Sequence, residues 1–203
     1  MSEHTSPEEI QEVNLPEDTE QPKEKPSLAA DCYGWLQALT VALLILIVVF
    51  TFFGRIIGVD GSSMVPTLEH GDMLLLQCVG YEPEQGDVVV LHKDFASITG
   101  PIVKRVIATG GQTVEIDYNT STVYVDGQPI DEPYLGEPMY TPAMANEQGT
   151  YWVVPEGSIF VMGDNRNASS DSRNVELGTV DTRYVLGKAL FIILPFQHLG
   201  AIN

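Results

Sequence analysis

The most regular feature of this chain is a stretch without any polar face. From Cys32 to Gly54 no residue carries a charge, and Leu39 to Phe53 is apolar apart from Thr40 and Thr51. As a helix this stretch measures about 35 Å, enough to cross the roughly 30 Å hydrocarbon core of a bilayer. A helix buried in a soluble core would keep a polar edge. A cleavable leader would have a shorter apolar run and no long acidic segment ahead of it. The pattern therefore predicts a permanent transmembrane anchor over residues 32–54, with Tyr33 and Trp35 at the depth of an interfacial aromatic belt.

Beyond the anchor the period changes to two. Met73–Cys78, Asp87–His92 and Ile102–Ile107 read as strands, as do Thr113–Tyr118, Thr122–Val125, Ser158–Met162 and Lys188–Ile193. Asn119 to Ser121 form a hairpin loop, and Asp126-Gly127 marks a tight turn. No amphipathic helix and no internal repeat is visible there, and the last apolar stretch, Ala189 to Phe196, is too short to span a membrane. The expected fold class is mainly β. One N-terminal transmembrane helix precedes a compact domain over 55–203, built as a β-barrel-like or folded antiparallel sheet that protects its edges. A smaller β-hairpin insertion is expected at about 110–155.

Residues 1–31 break both patterns. They are rich in Glu, Pro, Ser and Gln and hold nine acidic residues against Lys23 and Lys25. Such a segment cannot bury enough apolar surface to offset its ordering entropy, so it is expected to be a disordered tail. The net charge of the whole chain, −18, argues against nucleic-acid binding, because phosphates repel such a surface. The two cysteines, Cys32 and Cys78, are placed too far apart along the expected topology to pair. The four histidines (His4, His70, His92, His198) are scattered, and no Cys/His spacing resembles a zinc site. Charge flanking the anchor leaves orientation open, since Lys23 and Lys25 precede it and Arg55 follows.

Three segments carry candidate chemistry. Gly61-Ser-Ser-Met-Val-Pro-Thr-Leu68 places hydroxyls a few residues past the anchor, on backbone that Pro66 restrains. Ile102-Val-Lys-Arg-Val-Ile107 sets two cations in a β-branched strand, and period two sends Lys104 and Arg105 to opposite faces. One of them must then turn towards whatever the sheet covers, and desolvation there would lower a lysine pKa enough to make a neutral amine, able to accept a proton. Met162-Gly-Asp-Asn-Arg-Asn-Ala-Ser-Ser-Asp-Ser-Arg173 is dense in groups that bond locally, as in a surface turn or in a network that orients catalytic groups. No Gly-x-Ser-x-Gly elbow exists and no histidine has a suggestive setting, which disfavours a Ser-His-Asp triad but leaves a lysine-activated serine.

Taken in order behind a single anchor, these segments resemble the type I signal peptidases, the bacterial kind with a Ser/Lys dyad. Ser63-Met-Val-Pro-Thr-Leu68, Lys104-Arg105 and Gly163 to Arg173 match the family's three signatures. Gly71-Asp72, Gly86 to Val90, Val125 to Tyr134 and Gly187 to Leu190 match as well. The resemblance implies that Ser63, not Ser62, is the nucleophile and that Lys104 is the general base. It also implies that Ser169 orients Lys104, and that Asp171 with Arg105 and Arg173 forms a supporting ion-pair network. The oxyanion hole is expected to use the Ser63 backbone N–H. Val59, Met64, Leu68, Ile102 and Val103 are the expected walls of shallow pockets that admit small residues such as Ala-x-Ala.

The same resemblance implies no metal and no organic cofactor, secreted preproteins and membrane lipid as partners, and a monomer. It places the N-terminus in the cytoplasm and the catalytic domain outside the cell membrane. Gly61 stands where some members carry a second oxyanion donor, Asn167 and Ala168 replace an acid and an asparagine, and Gly110-Gly-Gln112 replaces Pro-Gly-Asp. Two rival readings share some of these features: a self-cleaving repressor with Ser/Lys chemistry, and a catalytically dead membrane-anchored binding protein. The anchor and the lack of a DNA-binding segment weigh against the first, and intact Ser63 and Lys104 weigh against the second.

Overall fold

The computed structural model describes residues 28–52, 54–95, 98–140 and 149–202. The tail expected over 1–31 lies outside the described residues as far as position 27. Two compact units divide the chain, 1–42 and 43–203. In the first, the described residues belong to helix α1 (Leu28–Phe52), whose side chains from Cys32 to Ala42 are exposed. The helix thus starts four residues before the expected anchor and takes in Asp31. Among the described residues no helix is long and apolar enough to cross a membrane; the described side chains of α1 end at residue 48.

The second unit takes in the end of α1, and its strands are all paired antiparallel. Its strands are β1 (Gly54–Gly58), β2 (Met73–Gln77), β3 (Val88–His92), β4 (Pro101–Thr109), β5 (Thr113–Asp117) and β6 (Thr122–Val125). They continue with β7 (Gln128–Pro129), β8 (Tyr151–Val153), β9 (Ser158–Met162), β10 (Val180–Asp181), β11 (Val185–Leu194) and β12 (Gly200–Ala201). The large sheet runs β1-β2-β11-β3-β4-β9-β10, with β12 added to β11, and the small one runs β7-β6-β5-β8. The chain is mainly β, as expected, and among the described residues only single turns of 3-10 helix follow α1.

Strands β1, β7, β8, β10 and β12 have no counterpart in the sequence pattern. Four of them are only two or three residues long, too short for a period of two to register, and β1 begins at Gly54, where the uncharged run ends. Asp126 and Gly127 do form the tight turn between β6 and β7, with φ of 51° and 74°. That double left-handed geometry suits a two-residue hairpin, and glycine adopts it without steric cost.

Three apolar clusters hold the unit together. On β3 the successive residues Val88, Val89, Val90 and Leu91 alternate between two of them. Both faces are therefore covered, which is why the strand reads as an unbroken apolar run. The first cluster joins Val59, Met64 and Leu68 to Leu74, Leu76, Val88, Val90 and Val103. Met64 and Leu68 are fully enclosed, and each such side chain contributes about 1.5–3 kcal/mol of burial. The loop between β1 and β2 is thus fixed on the sheet by its own apolar residues. The small sheet packs Val114, Ile116 and Val123 on Ile107, Phe160 and Met162.

Candidate active site

Ser63 sits in the first half of the loop from residue 59 to 72, between β1 and β2. Its neighbours fix it from both sides: Met64 is a buried anchor, and Ser62 O accepts from Val65 N to close a tight turn. The loop 163–173 comes up beneath it. Asn165 N donates to Ser63 O at 3.0 Å, and Asn165 Nδ2 donates to Ser62 O at 3.2 Å. Gly163 lies so close that a Cβ there would overlap Ser169 Oγ and the Ser63 carbonyl oxygen.

Lys104 reaches this serine from the middle of β4, opposite Val89 on β3. Its Nζ stands 2.7 Å from Ser63 Oγ and 3.0 Å from the carbonyl of Val103. The side chain is 3% exposed, so the ammonium form loses most of its hydration. Burial lowers its pKa to about 8, although the Asp171 and Asp164 carboxylates pull it upward. A neutral amine at hydrogen-bond distance from a hydroxyl can take that proton.

The sequence pattern required one of Lys104 and Arg105 to face a covered side; in the structure both faces of β4 are covered here, and residues 103–108 are all buried. Arg105 meets a partner that the sequence did not nominate. It forms a two-pronged ion pair with Asp164, at 2.9 Å from Nε and 2.7 Å from Nη2, and its Nη1 donates to Gly86 O. The guanidinium also lies 3.9 Å from the centroid of the Tyr134 ring.

Asp171 pairs instead with Arg173, through Nε at 2.8 Å and Nη2 at 2.9 Å, and accepts Gly163 N at 3.0 Å. Burial would raise its pKa, but the Arg173 guanidinium and these donors hold it below the usual carboxylate range. Of the expected network, Arg173 pairs with Asp171, while Arg105 pairs with Asp164.

Ser169 also differs from expectation. Its Oγ is buried beside Gly163 and close enough to Asp171 to favour that carboxylate's ionised form. It closes no hydrogen bond of good geometry, to Lys104 or to any other described group. Val59, Met64, Leu68 and Val103 share one apolar cluster, but Ile102 packs on the opposite face of β4 against the cluster of Leu91 and Val106. Period two separates 102 from 103, so both cannot line one wall by their side chains.

Several supporting residues escaped the sequence reading. A strap over residues 130–140 crosses from the small sheet to the site. Glu132 pairs with the buried Arg166, and Gly136 lies against Pro66. Asn167, one of the departures from the family pattern, donates to Glu137 at 2.8 Å and Pro138 O at 3.0 Å and accepts Tyr140 N at 3.0 Å. An acid in its place could not donate. Gly61, another departure, has φ of 97°, and its N–H is turned towards His70 Nδ1 at 3.3 Å. A surface cleft of about 480 Å³ that none of the dyad residues lines is bordered by Tyr81, Asp87 and Lys188. Among the described residues no cluster of His, Cys, Asp or Glu is arranged to hold a metal ion.

A family model described as signal peptidase, peptidase S26, matches residues 32–194. The chain belongs to the S26 signal peptidase family. It is 38% identical over 176 residues to the "Probable signal peptidase I-1" of Synechocystis, covering 81% of this chain and 84% of that protein. To the "Signal peptidase I" of Bacillus licheniformis it is 34% identical over 174 residues, covering 82% and 91%. To "Signal peptidase IB" of Staphylococcus aureus it is 36% identical over 184 residues, covering 81% and 90%. The crystal structure of a signal peptidase I from Enterococcus faecalis is similar over 53% of this chain and 97% of that one, at 29% identity and a TM-score of 0.43. The activity of this chain is that of a signal peptidase I, a serine endopeptidase that removes signal peptides from preproteins.

Proposed function

We propose that this signal peptidase cuts by a Ser63/Lys104 dyad. The observation that carries the reading is the 2.7 Å contact between Ser63 Oγ and the buried Lys104 Nζ. With a pKa of about 8, roughly a tenth of the molecules carry the free amine at neutral pH. In that form Nζ accepts the Ser63 proton as Oγ bonds to the scissile carbonyl carbon. The proton then passes to the leaving nitrogen as the peptide C–N bond breaks, leaving an acyl-enzyme. Lys104 next takes a proton from water, the hydroxide oxygen bonds to the acyl carbon, and Ser63 recovers its proton as it leaves. The Ser63 backbone N–H, with no protein acceptor among the described residues, is the donor for the developing oxyanion.

Substrates in this reading are cut after small residues of the Ala-x-Ala type. The walls that reject larger side chains are Val59 and Val103, backed by the enclosed Met64 and Leu68, while Ile102 supports β4 from behind. The uncharged run from Cys32 to Gly54 is the membrane anchor, with the N-terminus in the cytoplasm and the catalytic domain outside.

The test is cleavage of an exported preprotein by full-length wild type, Ser63→Ala and Lys104→Ala in detergent or lipid. Both variants are expected to lose about a thousandfold or more in rate while remaining folded. An inactive wild type would favour a binding protein, and a Lys104→Ala that keeps most of its rate would mean that another group is the base.

A further inference from the structure

The loop that carries Ser63 is closed far from the dyad, at its two ends. Val59 N donates to Asp72 O at 2.8 Å, and Gly71 N donates to Val59 O at 3.0 Å. Asp72 is 1% exposed, so its carboxylate depends on partners. Oδ2 accepts the Glu69 backbone N–H at 2.8 Å. Oδ1 lies 2.9 Å from His198 Nδ1. A carboxylate only accepts, so Nδ1 of His198 carries the proton.

The placement of His198 is built. Leu194 pairs with Met73, which brings the end of β11 beside Asp72. The chain then makes one 3-10 turn over Phe196–His198, and Gly200 and Ala201 return to pair with Ile192 and Phe191. Ile202 N donates to Leu190 O at 3.0 Å, and its side chain packs on the Met64–Leu68 cluster. The terminal segment thus forms a closed bracket that presents one imidazole to the base of the nucleophile loop. Glu69, on the same loop, faces Nε2 from 3.7 Å.

We infer that His198 is a positioning residue for the reaction: through Nδ1 it holds the Asp72 carboxylate, and so fixes the base of the loop that sets Ser63 against Lys104. This rests on the Ser63/Lys104 reading. The physical reason is leverage. Asp72 closes the loop, and an unpaired buried Oδ1 would drive it outward towards water. A displacement well under an ångström at Ser63 is enough to disturb the contact with Lys104 and slow the acylation step.

Asparagine can put its amide nitrogen where Nδ1 stands, whereas glutamine mimics Nε2 and cannot reach Asp72 in the same geometry. The experiment measures kcat and KM for full-length wild type, His198→Asn and His198→Gln on a signal-peptide-bearing preprotein in detergent. The temperature is one at which circular dichroism shows all three folded. His198→Gln is expected to lose about tenfold in kcat with KM within about twofold, and His198→Asn to stay within about threefold of wild type. Equal kcat for the two variants, at any level, overturns the inference, as does a loss confined to KM. Failure of wild type itself to cut would sink the functional reading instead, and Ser63→Ala in parallel separates the two cases.

Discussion

Arg105 and Asp164 form a buried two-pronged ion pair that joins the two halves of the dyad. Arg105 follows the general base on β4, and Asp164 precedes Asn165, whose N–H holds the Ser63 carbonyl. Thr67 Oγ1, from the nucleophile loop itself, donates to the same Asp164 carboxylate. The distance between nucleophile and base is therefore set by an ion pair that touches neither reacting atom. Removing the carboxylate takes an acceptor pair from a guanidinium that is 1% exposed. Asp164→Ala is expected to lower stability by about 3–5 kcal/mol, read from urea denaturation, and to abolish cleavage. Arg105→Lys keeps the charge but cannot fork, and should lose part of both.

The pH dependence follows from Lys104. Its folded pKa, about 8, lies below the unfolded value of about 10.4. The base must be neutral, so kcat/KM is expected to rise from pH 6.5 and level off above about pH 9. Asp171 and Asp164 raise this pKa. Asp171→Asn should accordingly move the rising limb to lower pH, whatever it does to the plateau. An unmoved limb would show that Lys104 is not the group titrating.

The same titration fixes a stability sign. Between pH 8 and about 10.4 the unfolded chain binds the Lys104 proton and the folded chain does not, so stability rises with pH in that window. Below it the buried lysine is a liability. Lys104→Met, which fills the space without a charge, is expected to be inactive yet more stable by about 1–3 kcal/mol at pH 7. Denaturant midpoints at pH 7 and pH 10 test this: the gain should shrink at the higher pH.

Gly163 leaves no room for a side chain. A Cβ would overlap both Ser169 Oγ and the Ser63 carbonyl oxygen. Gly163→Ala is expected to cut kcat by about a hundredfold or more by displacing Ser63. Adding Ser169→Ala relieves only one of the two contacts and should not restore the rate.

Asn167 uses donor and acceptor together to hold the strap at Glu137, Pro138 and Tyr140. Asn167→Asp would set two carboxylates side by side and lose the donor. A loss of about 1–2 kcal/mol is expected by thermal melting, relieved when Glu137→Gln is added.

Some of this was legible in sequence because it depends on near neighbours. The uncharged run 32–54, the period-two strands, the Asp126-Gly127 turn and the lysine set among β-branched residues are local signals. With the three ordered segments they carried the resemblance to type I signal peptidases, and that resemblance nominated Ser63 and Lys104. What stayed hidden depends on register and on contacts between distant segments. That Arg105 takes Asp164 and leaves Asp171 to Arg173 follows from how loop 163–173 lies across β4, and both acids sit in one short run with equal local claims. Ile102 and Val103 look alike as apolar neighbours, and only the sheet decides which one faces the nucleophile loop. His198 carries no local signal at all, since its partner Asp72 belongs to another strand's end. Sequence by itself determined which side chains could do the chemistry; tertiary structure decided their partners, because burial and ion pairing are properties of the packed sheet and not of the local run.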